Sequence, residues 1–193
     1  MLHARSVIAP VGESALVRVL ILALLAQAPA AQQPPAAKTP DACALLADAE
    51  VRTVLGVTVK ERRPGSQQAH GLLLSQCYLG TGTPRSVSIA VAGNTRSGGE
   101  TITPRAFWRD RFHHDEHDAD RKGETREQEG ETEARPIRGV GDEAFWSGTR
   151  VAGALYVLRG NTFIRISVGG LSDEQERIEK SRQLAVTALP RLQ

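Results

Sequence analysis

An α+β fold, an antiparallel β-sheet covered by helices, is what this sequence predicts, and three observations carry the prediction. Apolar residues alternate with small or polar ones in two separated runs, Val87, Ile89 and Val91 in one and Ile164, Ile166 and Val168 in the other, the period of a strand with one buried face. Each run ends a pair of strand-like segments joined by turn residues, so neighbouring strands are antiparallel. An amphipathic helical stretch follows each pair instead of separating its strands, which argues against parallel βαβ units. The order strand, strand, helix thus occurs at 72–112 and again at 150–189. A duplication would explain the echo, and so would the general likeness of antiparallel hairpins.

The 193 residues carry 24 Lys+Arg against 22 Asp+Glu, with 40% hydrophobic and 4% aromatic residues. That length suits one domain plus an appendage. The composition excludes a polytopic membrane protein, a collagen-like chain and a wholly disordered one. The near-balanced charge argues against nucleic-acid binding driven by bulk charge.

Residues 1–30 read as a signal peptide. Arg5 and Arg18 precede the apolar run VLILALLA, and Ala28 and Ala30 stand at the minus-three and minus-one positions of a cleavage site before Ala31. The apolar run is too short for a bilayer of about 30 Å. The leader before it is long and contains Glu13, and Met1 is the only Met, so Val17 is an alternative start. Cleavage removes two basic residues and one acidic residue and leaves a net charge of +1. Residues 31–40, rich in Pro, Ala and Gln, read as a linker. Cys43 lies too far downstream of the apolar run to be lipidated. The expected product is therefore an exported, periplasmic or secreted chain without a membrane span.

The domain then occupies 41–193. Residues 41–56 have helical spacing in Leu45, Leu46, Ala49, Val51 and Leu55, with Asp48 as a cap for the second half and Gly56 as the stop. Residues 57–63 read as a weak strand ending at Pro64, and 64–71 as a loop. Residues 72–79 and 85–92 read as paired strands, and 94–103 as a loop. Thr103-Pro104 is a helix start, with Phe107, Trp108 and Phe112 as its apolar stripe. Residues 113–135 are highly charged and contain no aromatic residue. They are expected to form a solvated helix end or a mobile loop. Residues 150–158 and 163–170 read as strands around a Gly160-Asn161 turn. The last helix spans 172–189, with Ser172 and Gln175 as a capping box, Ile178, Leu184, Ala185, Ala188 and Leu189 as its packed stripe, and Pro190 as its end.

Cys43 and Cys77 are the only cysteines. In an exported chain an even count favours a disulfide, worth about 3–4 kcal/mol for a loop of this size. The pair is not C-x-x-C, so redox catalysis is disfavoured.

The run HHDEHD is the one candidate for metal. His113 and His117 are four apart and would share a helix face, and imidazole with carboxylate suits zinc, copper or nickel. The order is not H-E-x-x-H, and a solvated helix end is the simpler reading. Gly139-Val140-Gly141-Asp142-Glu143-Ala144 matches G-x-G-x-x-A, but Phe145 and Trp146 follow where a dinucleotide fold needs a helix, so a turn is expected and no cofactor. Adjacent acids such as Asp142 and Glu143 point to opposite faces of a strand. No nucleophile elbow and no phosphate-binding loop occurs.

The series Cys43-Ala44-Leu45-Leu46, Glu50, Leu55-Gly56 and Cys77-Tyr78, with the later Gly139–Phe145 run, resembles small exported bacterial envelope proteins and lipoproteins of the domain of unknown function 3558 type. The resemblance covers most of 41–189. It implies an exported α+β domain with a disulfide, and it implies no activity, cofactor or catalytic residue.

The expectation is a non-enzymatic domain that binds a small ligand or a protein partner in the cell envelope. The alternatives are a metal-dependent or hydrolytic enzyme using residues 113–118, and a passive accessory protein that contacts others through 113–135.

Overall fold

The computed structural model describes residues 39–97, 100–113 and 134–192. The leader, the linker up to residue 38, His117 and the rest of 114–133 lie outside them.

The chain enters through a 3-10 turn at Ala42–Ala44, closed by the Asp41 side chain accepting from Cys43 N at 2.9 Å. Helix α1 then spans Asp48–Leu55. Residues 41–56 are thus broken in two instead of forming one helix. Ala47 takes the cap position and Asp48 the first turn, with Glu50 reaching back to accept from Ala47 N at 2.7 Å.

Strand β1 (Glu61–Ala69) pairs with β2 (Leu72–Gly80), and β2 with β3 (Ser86–Gly93), all antiparallel. β1 runs through Pro64 and Gly65, where a loop was expected. It lies at the sheet edge and bonds only β2, and an edge tolerates a residue without an N–H. His70 and Gly71, both at positive φ, make the two-residue turn into β2. The expected loop at 94–103 contains a short hairpin, β4 (Thr95–Ser97) with β5 (Glu100–Ile102).

Helix α2 (Pro104–Phe112) starts as its sequence predicts, with Thr103 Oγ1 accepting from Ala106 N at 3.1 Å. After β6 (Arg135–Pro136), the G-x-G-x-x-A run is a turn, with Gly139 and Gly141 at φ 77° and 64°. It leads into β7 (Glu143–Gly148), and β8 (Gly153–Arg159) and β9 (Thr162–Gly169) follow. Helix α3 (Glu174–Ala188) is capped by Asp173, whose carboxylate accepts from Glu176 N at 2.6 Å. The cap is one residue later than the Ser172 box predicted, because a carboxylate suits the positive end of a helix better than a hydroxyl. Pro190 does not stop the chain abruptly, and Leu189–Arg191 form a final 3-10 turn.

Seven strands make one antiparallel sheet in the order β1-β2-β3-β9-β8-β7-β6. Two meanders meet where β3 pairs with β9, and the two alternating runs face each other there: Val87 opposite Val168, Ile89 opposite Ile166, Val91 opposite Ile164. The first face carries these six residues with Cys77, Leu79, Ala144, Trp146, Leu155 and Val157 under Leu45, Leu46, α1 and α3. The second face carries Leu72, Ala92, Leu158 and Phe163 under Trp108 of α2. The helices after the two hairpins therefore cover opposite faces, which is not the arrangement of a simple repeat. Among the described residues no helix is long and apolar enough to cross a membrane.

Candidate functional site

Cys43 and Cys77 stand at disulfide distance, with Cα atoms 4.9 Å apart, and no free cysteine occurs among the described residues. Cys77 lies on the first face of β2 and Cys43 in the entry turn above it. The link ties the start of the domain to its sheet. Arg62 on β1 reinforces this corner by donating to the carbonyls of Cys43 and Leu46 and pairing with Asp48. These contacts are structural and leave no reactive thiol.

The second face is finished over only part of its width. Helix α2 lays Phe107, Trp108 and Phe112 over Phe145, Tyr156, Leu158 and Phe163. Phe112 and Phe145 stack with centroids 4.6 Å apart, and Tyr156 meets Phe112 edge-on at 5.5 Å. Beyond this cluster the same face is polar. One cross-strand row runs Gly65, Gln76, Ala90, Arg165, Tyr156, Phe145, Pro136 through all seven strands. The next row is Arg63, Tyr78, Ser88, Ser167. Gln76, Tyr78, Ser88 and Ser167 are half-buried and Arg63 and Arg165 exposed. Among the described elements α2 is the only helix packed on this face. The open part therefore presents short hydroxyl and amide side chains between two arginine–tyrosine stacks. Arg63 lies 4.5 Å from the Tyr78 ring centre and Arg165 5.8 Å from that of Tyr156, with Arg165 Nε donating to the Tyr156 hydroxyl at 3.2 Å. Arg63 Nη2 also pairs with Glu61 at 3.2 Å, so each guanidinium uses one of its N–H groups within the protein and has others for an incoming acceptor.

His113, the first of the two candidate metal ligands, ends α2. Its Nε2 lies 2.8 Å from Glu143 Oε2, and the same oxygen accepts from Trp108 Nε1 at 2.8 Å. The indole and imidazole hydrogen bonds hold the Glu143 carboxyl below its ordinary range. Partnership with Glu143 lay outside the reach of local pattern, because the two residues are 30 apart in the chain and meet only once α2 packs on β7. His117 lies outside the described residues. His113 and Glu143 provide two donors where a zinc site needs three or four, and no group of three His, Cys, Asp or Glu side chains occurs among the described residues. Asp142, one residue before β7, accepts from Gly160 N at 2.7 Å and has no hydrogen bond to Glu143 or His113 among the described residues.

No family model matches the chain, and no curated protein or solved structure does.

Proposed function

We propose that this chain acts as an exported, non-enzymatic binding domain of the bacterial cell envelope, and that the open part of its second sheet face is the docking surface. The observation that carries the reading is the polar patch of Gln76, Ser88 and Ser167, left uncovered by the described helices and lying on the same sheet face as the Arg63–Tyr78 and Arg165–Tyr156 stacks. Tyrosine and arginine are the side chains most often used as binding anchors. The Cys43–Cys77 pair at disulfide distance fits an oxidising compartment, and the apolar run before Ala31 supports export. The resemblance to the domain of unknown function 3558 type points the same way.

The test has two arms. The whole gene is expressed from its own leader in a diderm bacterium and fractionated by osmotic shock. The expected product is periplasmic and begins at Ala31, and an uncleaved cytosolic chain would defeat the export reading. A photo-crosslinker then replaces Ser88 on the open face or exposed Val186 on α3. The expected adduct forms from position 88 alone and is lost in the folded Tyr78→Ser/Arg165→Ser variant. Equal adducts from both positions would defeat the docking reading.

A second reading, a metal-dependent or hydrolytic enzyme, is favoured by Glu143 fixing the His113 ring, as a carboxylate orients a general base. A calorimetric zinc titration of the protein against its His113→Ala/His117→Ala variant tests it. An unchanged heat would remove its metal-dependent form.

A further inference from the structure

A cavity of about 390 Å³ opens at the end of the sheet where the two meanders meet. Four separate parts of the chain converge on it. Thr39 arrives from the start of the domain, Asn94 follows β3, and Arg159, Asn161 and Thr162 come from the β8–β9 turn, with Leu192 closing from the C-terminal end. The size suits a small ligand.

Three features of its wall speak for a particular chemistry. The lining contains no carboxylate, and Arg159 is exposed with no acidic partner among the described residues. Thr39 Oγ1 and Asn94 Oδ1 are shut off from solvent and make no hydrogen bond, an arrangement that buried polar atoms seldom tolerate. The wall is also fixed in place. Arg105 donates to Gly160 O at 2.9 Å, Gly160 N donates to Asp142 at 2.7 Å, and the Thr162 hydroxyl donates to Ala92 O, so the turn carrying Arg159 is pinned to α2, β3 and the approach to β7. A Cβ at Gly93 would collide with Thr39, so a glycine there lets the entering chain close the cavity.

We infer that this cavity is a binding site for a carboxylate with an adjacent hydrogen-bond donor, of the kind an α-hydroxy acid or the end of a peptide presents. The guanidinium of Arg159 takes the carboxylate, for which its paired N–H groups are shaped. Asn161 borders the same mouth. Asn94 and Thr39, which line the cavity and whose side-chain oxygens have no hydrogen-bond partner among the described residues, supply the acceptors for the neighbouring O–H or N–H. The site is separate from the sheet face and stands or falls independently of it.

The test follows backbone and side-chain amide resonances of the whole chain during titration with four probes. Lactate and trialanine each carry a carboxylate beside a donor. Propionate lacks the donor, and trialanine amide lacks the carboxylate. Saturable shifts centred on Asn94 and Asn161 are expected with lactate if the source is a free hydroxy acid, or with trialanine if it is a peptide end. Propionate, trialanine amide and the Arg159→Gln variant are each expected to bind about tenfold more weakly. Arg159 is exposed, so its replacement leaves the fold intact. Absence of saturable shifts with both lactate and trialanine would overturn the inference, as would equal binding by propionate or by Arg159→Gln.

Discussion

The two faces of the sheet are pinned by the same device and finished to different depths. On the first face Trp146, fully buried, donates its indole N–H to Glu174 at 2.9 Å, and Glu174 also holds Arg135 at 2.6 Å. On the second face Trp108, 1% exposed, donates to Glu143, which also holds His113. Each tryptophan brings a large apolar body and one polar atom that needs a partner, and in each case a glutamate supplies the partner while a second side chain, His113 or Arg135, contacts the same glutamate. His113 and Arg135 flank residues 114–133 in the chain. The first face is covered by α1, α3 and the cysteine link, while Pro64, Ser66 and Gln68 of the edge strand β1 stay exposed on it. Among the described residues the second is covered only beneath α2, and the remainder is polar. What separates the faces, among the described residues, is the amount of helix laid over them.

The largest expected effect comes from deleting the anchors. Trp146→Ala is expected to cost about 3–5 kcal/mol of global stability in chemical denaturation. Trp108→Ala should cost less and act locally, with amide exchange rising over Pro104–Phe112 while α3 stays protected. Equal global losses would erase the difference between the faces. Next comes the covalent tie. Cys43→Ser/Cys77→Ser should lose about 3 kcal/mol, read as a lower urea midpoint at unchanged slope. An unchanged midpoint would mean that packing alone seals the first face.

Arg177 sharpens the comparison further. It is 2% exposed on the first face, and its guanidinium donates to the carbonyls of Leu171, Ser172, Thr149 and Arg150, tying the β7–β8 turn to the start of α3. Arg177→Met should cost about 2–3 kcal/mol, because those carbonyls lose their donor. A neutral result would show that water replaces it. The smallest effect is expected at Glu143. Its carboxyl is held below the ordinary value of 4.5 first by the Trp108 indole and then by His113. A depressed folded value means that the ionised group stabilises the fold above the unfolded value, and that this contribution disappears as pH falls through the folded one. Glu143→Gln should therefore lower stability by about 1 kcal/mol at neutral pH. The gap from the parent should close as the pH drops below 4.5. A gap independent of pH would assign the effect to shape and not to charge.

Much of the fold was legible because its signals are local. Val87–Val91 and Ile164–Val168 alternate, Thr103-Pro104 starts a helix, and Gly160-Asn161 turns a hairpin, each within a few residues. The edge strand β1 was expected at 57–63 and its run from Pro64 to Ala69 was missed, because Pro64 and Gly65 are ordinary loop residues and only a position at the sheet margin makes them acceptable in a strand. Arg177 and Ser181 were missed as buried residues although a signal existed. They continue the spacing of Leu184 and Ala188 along α3, and a charge on that stripe marks a buried guanidinium with backbone partners. The site was less legible than the fold. The open face is assembled from β1, β2, β3, β9 and β8, and Glu143 finds His113 across the packed α2–β7 contact, so no window of neighbouring residues contains either arrangement.

The pairing of β3 with β9 has a consequence for how this chain must be made. Until β9 is present, β3 is a bare margin of unpaired backbone groups flanked by Val87, Ile89 and Val91, at what becomes the middle of the sheet. Such a margin is a template for pairing with other chains. A polypeptide stopped before Thr162 should thus assemble into aggregates and not into a smaller stable domain, and a soluble monomeric fragment of that length would contradict this. The C-terminal strand serves as the closing member of the structure, and any factor that receives the emerging chain has to shield that margin until the last part of the sequence arrives.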